Sequence, residues 1–182
     1  MSQEVIENFL CESIEGFRSY KTLAERAIEQ VSDEEFFRAI DAEANSLATI
    51  CKHIGGNLRS RWTDFLTADG EKPDRNRDSE FVAEDETREN VMRIWTAVWQ
   101  AVLTTIGDLQ PADLLKIVTI RGEDYTVLKA VNRSLTHSAS HVGQIVLLAK
   151  HFRAAKWGNL SVPRNESEEY NRAFGAENSV DK

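Results

Sequence analysis

Apolar residues recur every three or four positions through four long stretches of the chain, the period of helices that bury one face. The first stretch, residues 3–31, carries Ile6, Leu10, Ile14, Phe17, Ala24, Ile28 and Val31 along one stripe. Ser32 followed by Glu35 is a capping box, which predicts that a new, short helix starts there. The second long stretch, residues 45–66, carries Leu47, Ile50, Ile54, Leu58, Trp62 and Phe65. Gly55-Gly56 interrupts it at about 1 kcal/mol per glycine relative to alanine, a cost usually met where a neighbouring backbone packs closely. The third, residues 85–109, presents Val91, Ile94, Trp95, Val98, Val102 and Ile106 and is closed by Gln110-Pro111. Thr126 offers an N-cap for the fourth, residues 127–155, whose band is Val131, Leu135, Val142, Ile145, Leu148, Ala149 and Phe152.

Between these stretches the pattern changes. Residues 67–83 are polar, with Asp69-Gly70, Pro73 and mixed Arg and Asp, and are long enough to cross the bundle. The second and third long helices therefore need not be simple antiparallel neighbours. Residues 117–120 and 124–127, separated by Arg121-Gly122-Glu123, predict a small β-hairpin or extended crossing segment. Residues 158–182 are polar and aperiodic, and read as an ordered tail lying on the bundle with a frayed end. The prediction is an all-α four-helix bundle with crossed connections, one domain over residues 1–182, and a hairpin before the last long helix.

Composition narrows the function classes. With a formal net charge of −8, the chain is a poor match for non-specific binding to nucleic acid or anionic membrane. Its apolar runs are too short to span a bilayer, and its amino terminus lacks a secretory layout, so a cytoplasmic protein with a small-molecule partner is expected. Cys11 and Cys51 both fall in helical patterns and read as free, buried thiols.

The chemistry sits in the histidines, of which the chain has four. His137 and His141 stand i,i+4, one turn apart on one face, along the edge of the last helix's apolar band, with Ser134 and Gln144 beside them. His53 flanks the stripe of the second long helix, with Asn57 one turn beyond. Three imidazoles from two helices suit a divalent transition ion and leave a coordination position open, as in catalytic zinc sites. The same residues also permit a plainer reading, three histidines satisfied at the core boundary. His151 falls roughly 15 Å along the axis from His141 and is excluded.

Three segments resemble the DinB/YfiT-like superfamily, and more narrowly a bacterial branch of unknown function. They are Lys52-His53-Ile54-Gly55-Gly56-Asn57-Leu58, Val118-Thr119-Ile120-Arg121-Gly122-Glu123, and the run from Thr136 to Lys150. The likeness covers nearly the whole chain. Asp74 departs from the aromatic expected after Pro73, and Asn165 replaces an expected glycine. The resemblance implies a bundle with crossed connections, homodimerisation, and a metal triad that maps onto His53, His137 and His141. It further implies chemistry in which zinc or nickel activates a low-molecular-weight thiol.

The function expected is thus a metal-dependent enzyme, either a thiol-dependent S-transferase or a hydrolase. The alternative is a non-catalytic, stress-related metal-binding or interaction module. Asn57 and Gln144 are candidates for orienting an imidazole or polarising a substrate. Arg59, Arg61, Arg75 and Arg77 are candidates for clamping a carboxylate, or else a solvated group paired with Asp74 and Asp78.

Overall fold

The computed structural model describes residues 3–180, with side chains described through residue 173. Its helices are α1 (Gln3–Ile28), α2 (Asp33–Phe37), α3 (Leu47–Trp62), α4 (Arg88–Asp108), α5 (Val127–Arg153) and α6 (Ser167–Val180). Strands β1 (Ile117–Ile120) and β2 (Glu123–Thr126) form an antiparallel hairpin just before α5. The expected all-α bundle with a hairpin ahead of the last long helix is present.

Hydroxyl caps fix where the helices start. Ser46 Oγ accepts from Thr49 N, Thr87 Oγ1 from Asn90 N and Thr126 Oγ1 from Lys129 N, each satisfying an amide that has no partner in the first turn. The Ser32–Glu35 box is complete in both directions and launches α2. Helix ends fall short of the sequence pattern, because buried apolar residues continue past them. Val31 and Phe65 belong to the core although α1 ends at Ile28 and α3 at Trp62.

The long helices pair as α1 with α5 and α3 with α4, and the pairs close on each other through α1–α4 and α3–α5. Contacts set the directions. Gly16 meets Leu135 and Gln30 bonds Gly158, so α1 and α5 run parallel. Trp95 Nε1 donates to Glu25 and Arg88 reaches the Ile28 carbonyl, so α4 runs against α1. Lys52 pairs with Glu86 and Gly55 packs on Ile94, so α3 and α4 are parallel neighbours. Two parallel helices in succession need a connection that returns the full length of the first. That is the work of the segment from Thr63 to Thr87.

This crossover is an ordered strap laid against α3. Ser60 Oγ donates to the Gly70 carbonyl, Arg75 and Glu80 lie over the middle of the helix, and Lys52 reaches the Val82 carbonyl near its start. A 3-10 turn, Asp78–Phe81, sits within it. Asp69 ties the strap to the hairpin by accepting from the backbone amides of Arg121 and Gly122, and Gly70 N bonds the Thr119 carbonyl. Those bonds hold the Asp69 carboxyl down to about 2, chiefly through the backbone amides of Glu71 and Gly122.

The core is a single cluster filled by Phe17, Trp95, Trp99, Ile54, Leu58, Ile106 and Ile145, among others, with the Phe17 ring edge-on to Trp62 at 5.7 Å. Trp99 lies off the stripe predicted for its helix yet is fully buried.

Three expectations need correction. The hairpin turn is two residues, Arg121-Gly122, both at positive φ, so β2 begins at Glu123 and not at residue 124. The tail is not aperiodic throughout, since Ser167–Val180 is helical with Glu168 and Glu169 in its first turn. Its apolar residues at helical spacing, Tyr170, Ala173 and Phe174, span only one turn, too short a stripe to read against the polar residues around them. The expected frayed end lies outside the described residues. Cys11 is exposed, whereas Cys51 is buried as expected. Finally, Asn165 has φ 67°, a left-handed conformation that asparagine tolerates better than most residues, which accounts for glycine being the expected occupant.

Candidate metal centre

α3 and α5 face each other antiparallel, and each presents its histidines where the two stripes meet. His53, His137 and His141 each offer a ring nitrogen, and all three nitrogens lie within 4.8 Å of one another. His53 Nε2 stands 3.4 Å from His137 Nε2. Two nitrogens sharing a tetrahedral zinc at roughly 2.0–2.1 Å would be about 3.3 Å apart. This group could therefore hold a metal ion, and no other group of three such side chains is found among the described residues.

The chemical state of the rings suits ligation. His53 Nδ1 lies 2.9 Å from Glu80 Oε2, and His141 Nδ1 lies 2.9 Å from Gln144 Oε1. Both oxygens only accept, so each Nδ1 donates, and in His53 it is Nε2 that stands beside His137. Burial, then repulsion from His141 and His53, pulls the His137 ring down to about 4. Burial likewise lowers His141, against the bond from Gln144. These two rings are neutral at pH 7, the form that binds metal.

Glu80 is the residue of this candidate site that sequence reasoning missed. It is buried, with Arg75 donating to both its oxygens, from Nε at 2.8 Å and from Nη2 at 3.0 Å. Burial raises its carboxyl, but the bonds from His53 and Arg75 outweigh that and leave it below the ordinary carboxylate value. Phe81 next to it stacks on the His53 ring, centroids 4.9 Å apart. The approach depends on Gly56. A β-carbon there would come within 2.5 Å of the Glu80 carboxyl carbon, so the mid-helix glycine makes room for a carboxylate and not for a backbone. The available signal was the glycine three residues after His53, together with a long loop that had to return along the same helix.

The other singled-out residues fall as follows. Asn57 is buried one turn beyond His53 and lines a cleft with His137. Gln144 contacts His141 directly. Arg59 is exposed and pairs with Asp74 at 3.3 Å. Arg61 is buried and donates to the Gly70 carbonyl and to Glu71, the latter at 2.9 Å. Arg75 is taken up by Glu80 and Glu71. Arg77 is exposed and lies over the Phe81 ring at 5.3 Å. The structure thus separates the four arginines: two are interior struts of the strap and two are at its surface. His151 is exposed, rests its ring on Phe152 and is outside the triad. Cys51 is also outside it, with its thiol pushed up by burial.

Among the described residues, no helix is long and apolar enough to cross a membrane. No curated protein matches the chain. A family model described as "Protein of unknown function" matches residues 4–166, nearly all of the bundle and both helices that carry the histidines. This chain belongs to that family, DUF1572.

Proposed function

We propose that this protein is a mononuclear metal-dependent enzyme of the DinB/YfiT-like kind, with His53, His137 and His141 as the ligands. The observation that carries the reading is the convergence of three imidazole nitrogens, two of them aimed by acceptors on the opposite ring nitrogen. The second nitrogen of His53 faces another imidazole, His137 Nε2 at 3.4 Å, and not a carboxylate or main-chain partner. Three imidazole ligands suit zinc or nickel. Such an ion supplies Lewis acidity that makes a thiol or water a better nucleophile at neutral pH.

The chain's own residues do the positioning. Glu80 holds the His53 ring in one tautomer and orientation, with Phe81 closing off its face. Gln144 does the same for His141, and Asn57, which lines the cleft with His137, is the candidate for orienting a substrate. The resemblance favours transfer of a low-molecular-weight thiol onto an electrophile over hydrolysis, and carries homodimerisation with it.

The test uses tag-free protein loaded in turn with zinc, nickel and manganese, given a chromogenic electrophile with and without added thiol. Turnover that needs both metal and thiol supports transfer. Turnover without thiol supports hydrolysis. Bound metal with neither activity favours a non-catalytic binding module, and failure to bind metal at all overturns the reading.

A further inference from the structure

We infer, building on the metal-centre reading, that Arg75 is a positioning residue of the histidine triad: its guanidinium clamps the Glu80 carboxylate and, through it, the ring of His53.

The carboxylate has to be placed by side chains. Glu80 sits on a four-residue 3-10 turn, and the backbone bonds nearby are local ones, from Arg75 N to the Lys72 carbonyl and from Glu80 N to the Arg77 carbonyl. Neither ties this stretch of the strap to α3. A glutamate side chain has several soft torsions and loses much freedom when it is fixed. Gly56 leaves room for the carboxylate over the helix but has no side chain to hold it.

Arg75 supplies the hold. Its side chain is 5% exposed, and it donates from Nε to Glu80 Oε1 at 2.8 Å and from Nη2 to Oε2 at 3.0 Å. Two such bonds fix the plane of a carboxylate as well as its place. Oε2, which takes one arm of that fork, is also the oxygen 2.9 Å from His53 Nδ1. The fork is itself braced. Arg75 Nη1 reaches both oxygens of Glu71 at 3.3 Å, and Glu71 Oε2 accepts from Arg61 of α3 at 2.9 Å and from Arg121 of the hairpin turn at 3.0 Å. Three guanidiniums thus share two carboxylates, and Arg75 alone touches both. The polar network of the strap therefore ends on a candidate metal ligand. A lysine would match the charge of Arg75 but not its fork.

Zinc affinity is measured by chelator competition for the parent protein, Arg75→Gln, Arg75→Lys and Thr87→Ala. Thr87→Ala removes the cap of α4, which carries no histidine, and should lower the melting temperature by about 2–4 °C with zinc affinity unchanged. Both Arg75 variants should bind zinc about tenfold more weakly, the low end of the loss for a residue that orients a ligand. Arg75→Lys keeps the charge among the buried carboxylates, so the comparison survives if Arg75→Gln fails to fold. A second readout needs no metal. NMR of metal-free protein with isotope-labelled histidine, at about pH 9, above the ordinary histidine range, should show the His53 proton on Nδ1 in the parent and in Thr87→Ala. In the Arg75 variants it should divide between the two ring nitrogens. A proton that stays on Nδ1 in those variants, or parent-like zinc affinity in Arg75→Lys, overturns the inference. A parent protein that takes up no zinc while its His53 proton responds to Arg75 sinks the metal centre and keeps the positioning role. Tight zinc binding with a His53 proton indifferent to Arg75 does the reverse.

Discussion

Glu80 Oε2 lies 2.9 Å from Nδ1 of His53, and both side chains are buried. The bond joins the crossover strap to the helix it runs back along, and it orients the His53 ring within the group that could hold a metal. Removing such an orienting partner typically costs 10–100-fold in metal affinity. Glu80→Gln is therefore expected to weaken zinc binding by roughly that factor in a chelator competition, with the fold retained. Unchanged affinity would show that the contact is only structural. Glu80→Ala is a poorer test, because it also takes from the buried Arg75 guanidinium its two shorter bonds and leaves it only the longer contacts to Glu71.

Gly56→Ala separates the glycine's helix cost from its role. In an ordinary helix interior the change stabilises by about 1 kcal/mol. Here the added carbon meets the Glu80 carboxyl, which is held on both sides by Arg75 and His53 and has little room to give. We expect zinc affinity to fall as in the Glu80 variant, without the gain in melting temperature that propensity alone predicts. A more stable variant with full affinity would contradict the packing argument.

These two positions also mark the limit of what the sequence discloses. His137 and His141 are legible because an i,i+4 pair at the edge of an apolar band has one geometric meaning. His53 has no such pair and was marked by its place at the flank of its stripe and by the family resemblance, while the caps Ser32 and Thr126 were legible from their spacing. Glu80 is not, since it sits in a segment with no period, and its partner is fixed only once α3 and α4 are known to be parallel. Arg61 and Arg75 were equally ambiguous as sequence. An arginine in or beside a polar loop reads the same whether it faces solvent or an interior glutamate such as Glu71. The helix Ser167–Val180 stayed hidden because its apolar stripe, Tyr170, Ala173 and Phe174, lasts only one turn.

Asp69 clamps the strap to the hairpin, and its effect should depend on pH. Its carboxyl is depressed from 3.8 to about 2 in the folded protein, so the folded state holds the ionised form more strongly than the unfolded chain does. The stabilisation is fully present above about pH 4 and is lost as pH falls toward 2, up to about 2.5 kcal/mol before solvent screening reduces it. Asp69→Ala should lower the urea midpoint at pH 7, and the gap to the parent protein should narrow by pH 3. A gap independent of pH would refute the clamp.

The two cysteines should separate cleanly under alkylation. Cys11 is exposed and Cys51 is buried with its thiol raised. Native protein should take up one iodoacetamide per chain rapidly, at Cys11, and a second only after denaturation. Rapid double labelling would mean that α3 opens far more readily than its packing implies.

The most direct measurement is a zinc titration in competition with a chelator, run on the parent protein and on single alanine variants of all four histidines. The account predicts one tight site per chain, severely weakened in His53→Ala, His137→Ala and His141→Ala and untouched in His151→Ala. Triad variants that bind zinc as tightly as the parent protein, or a loss confined to His151→Ala, would contradict it.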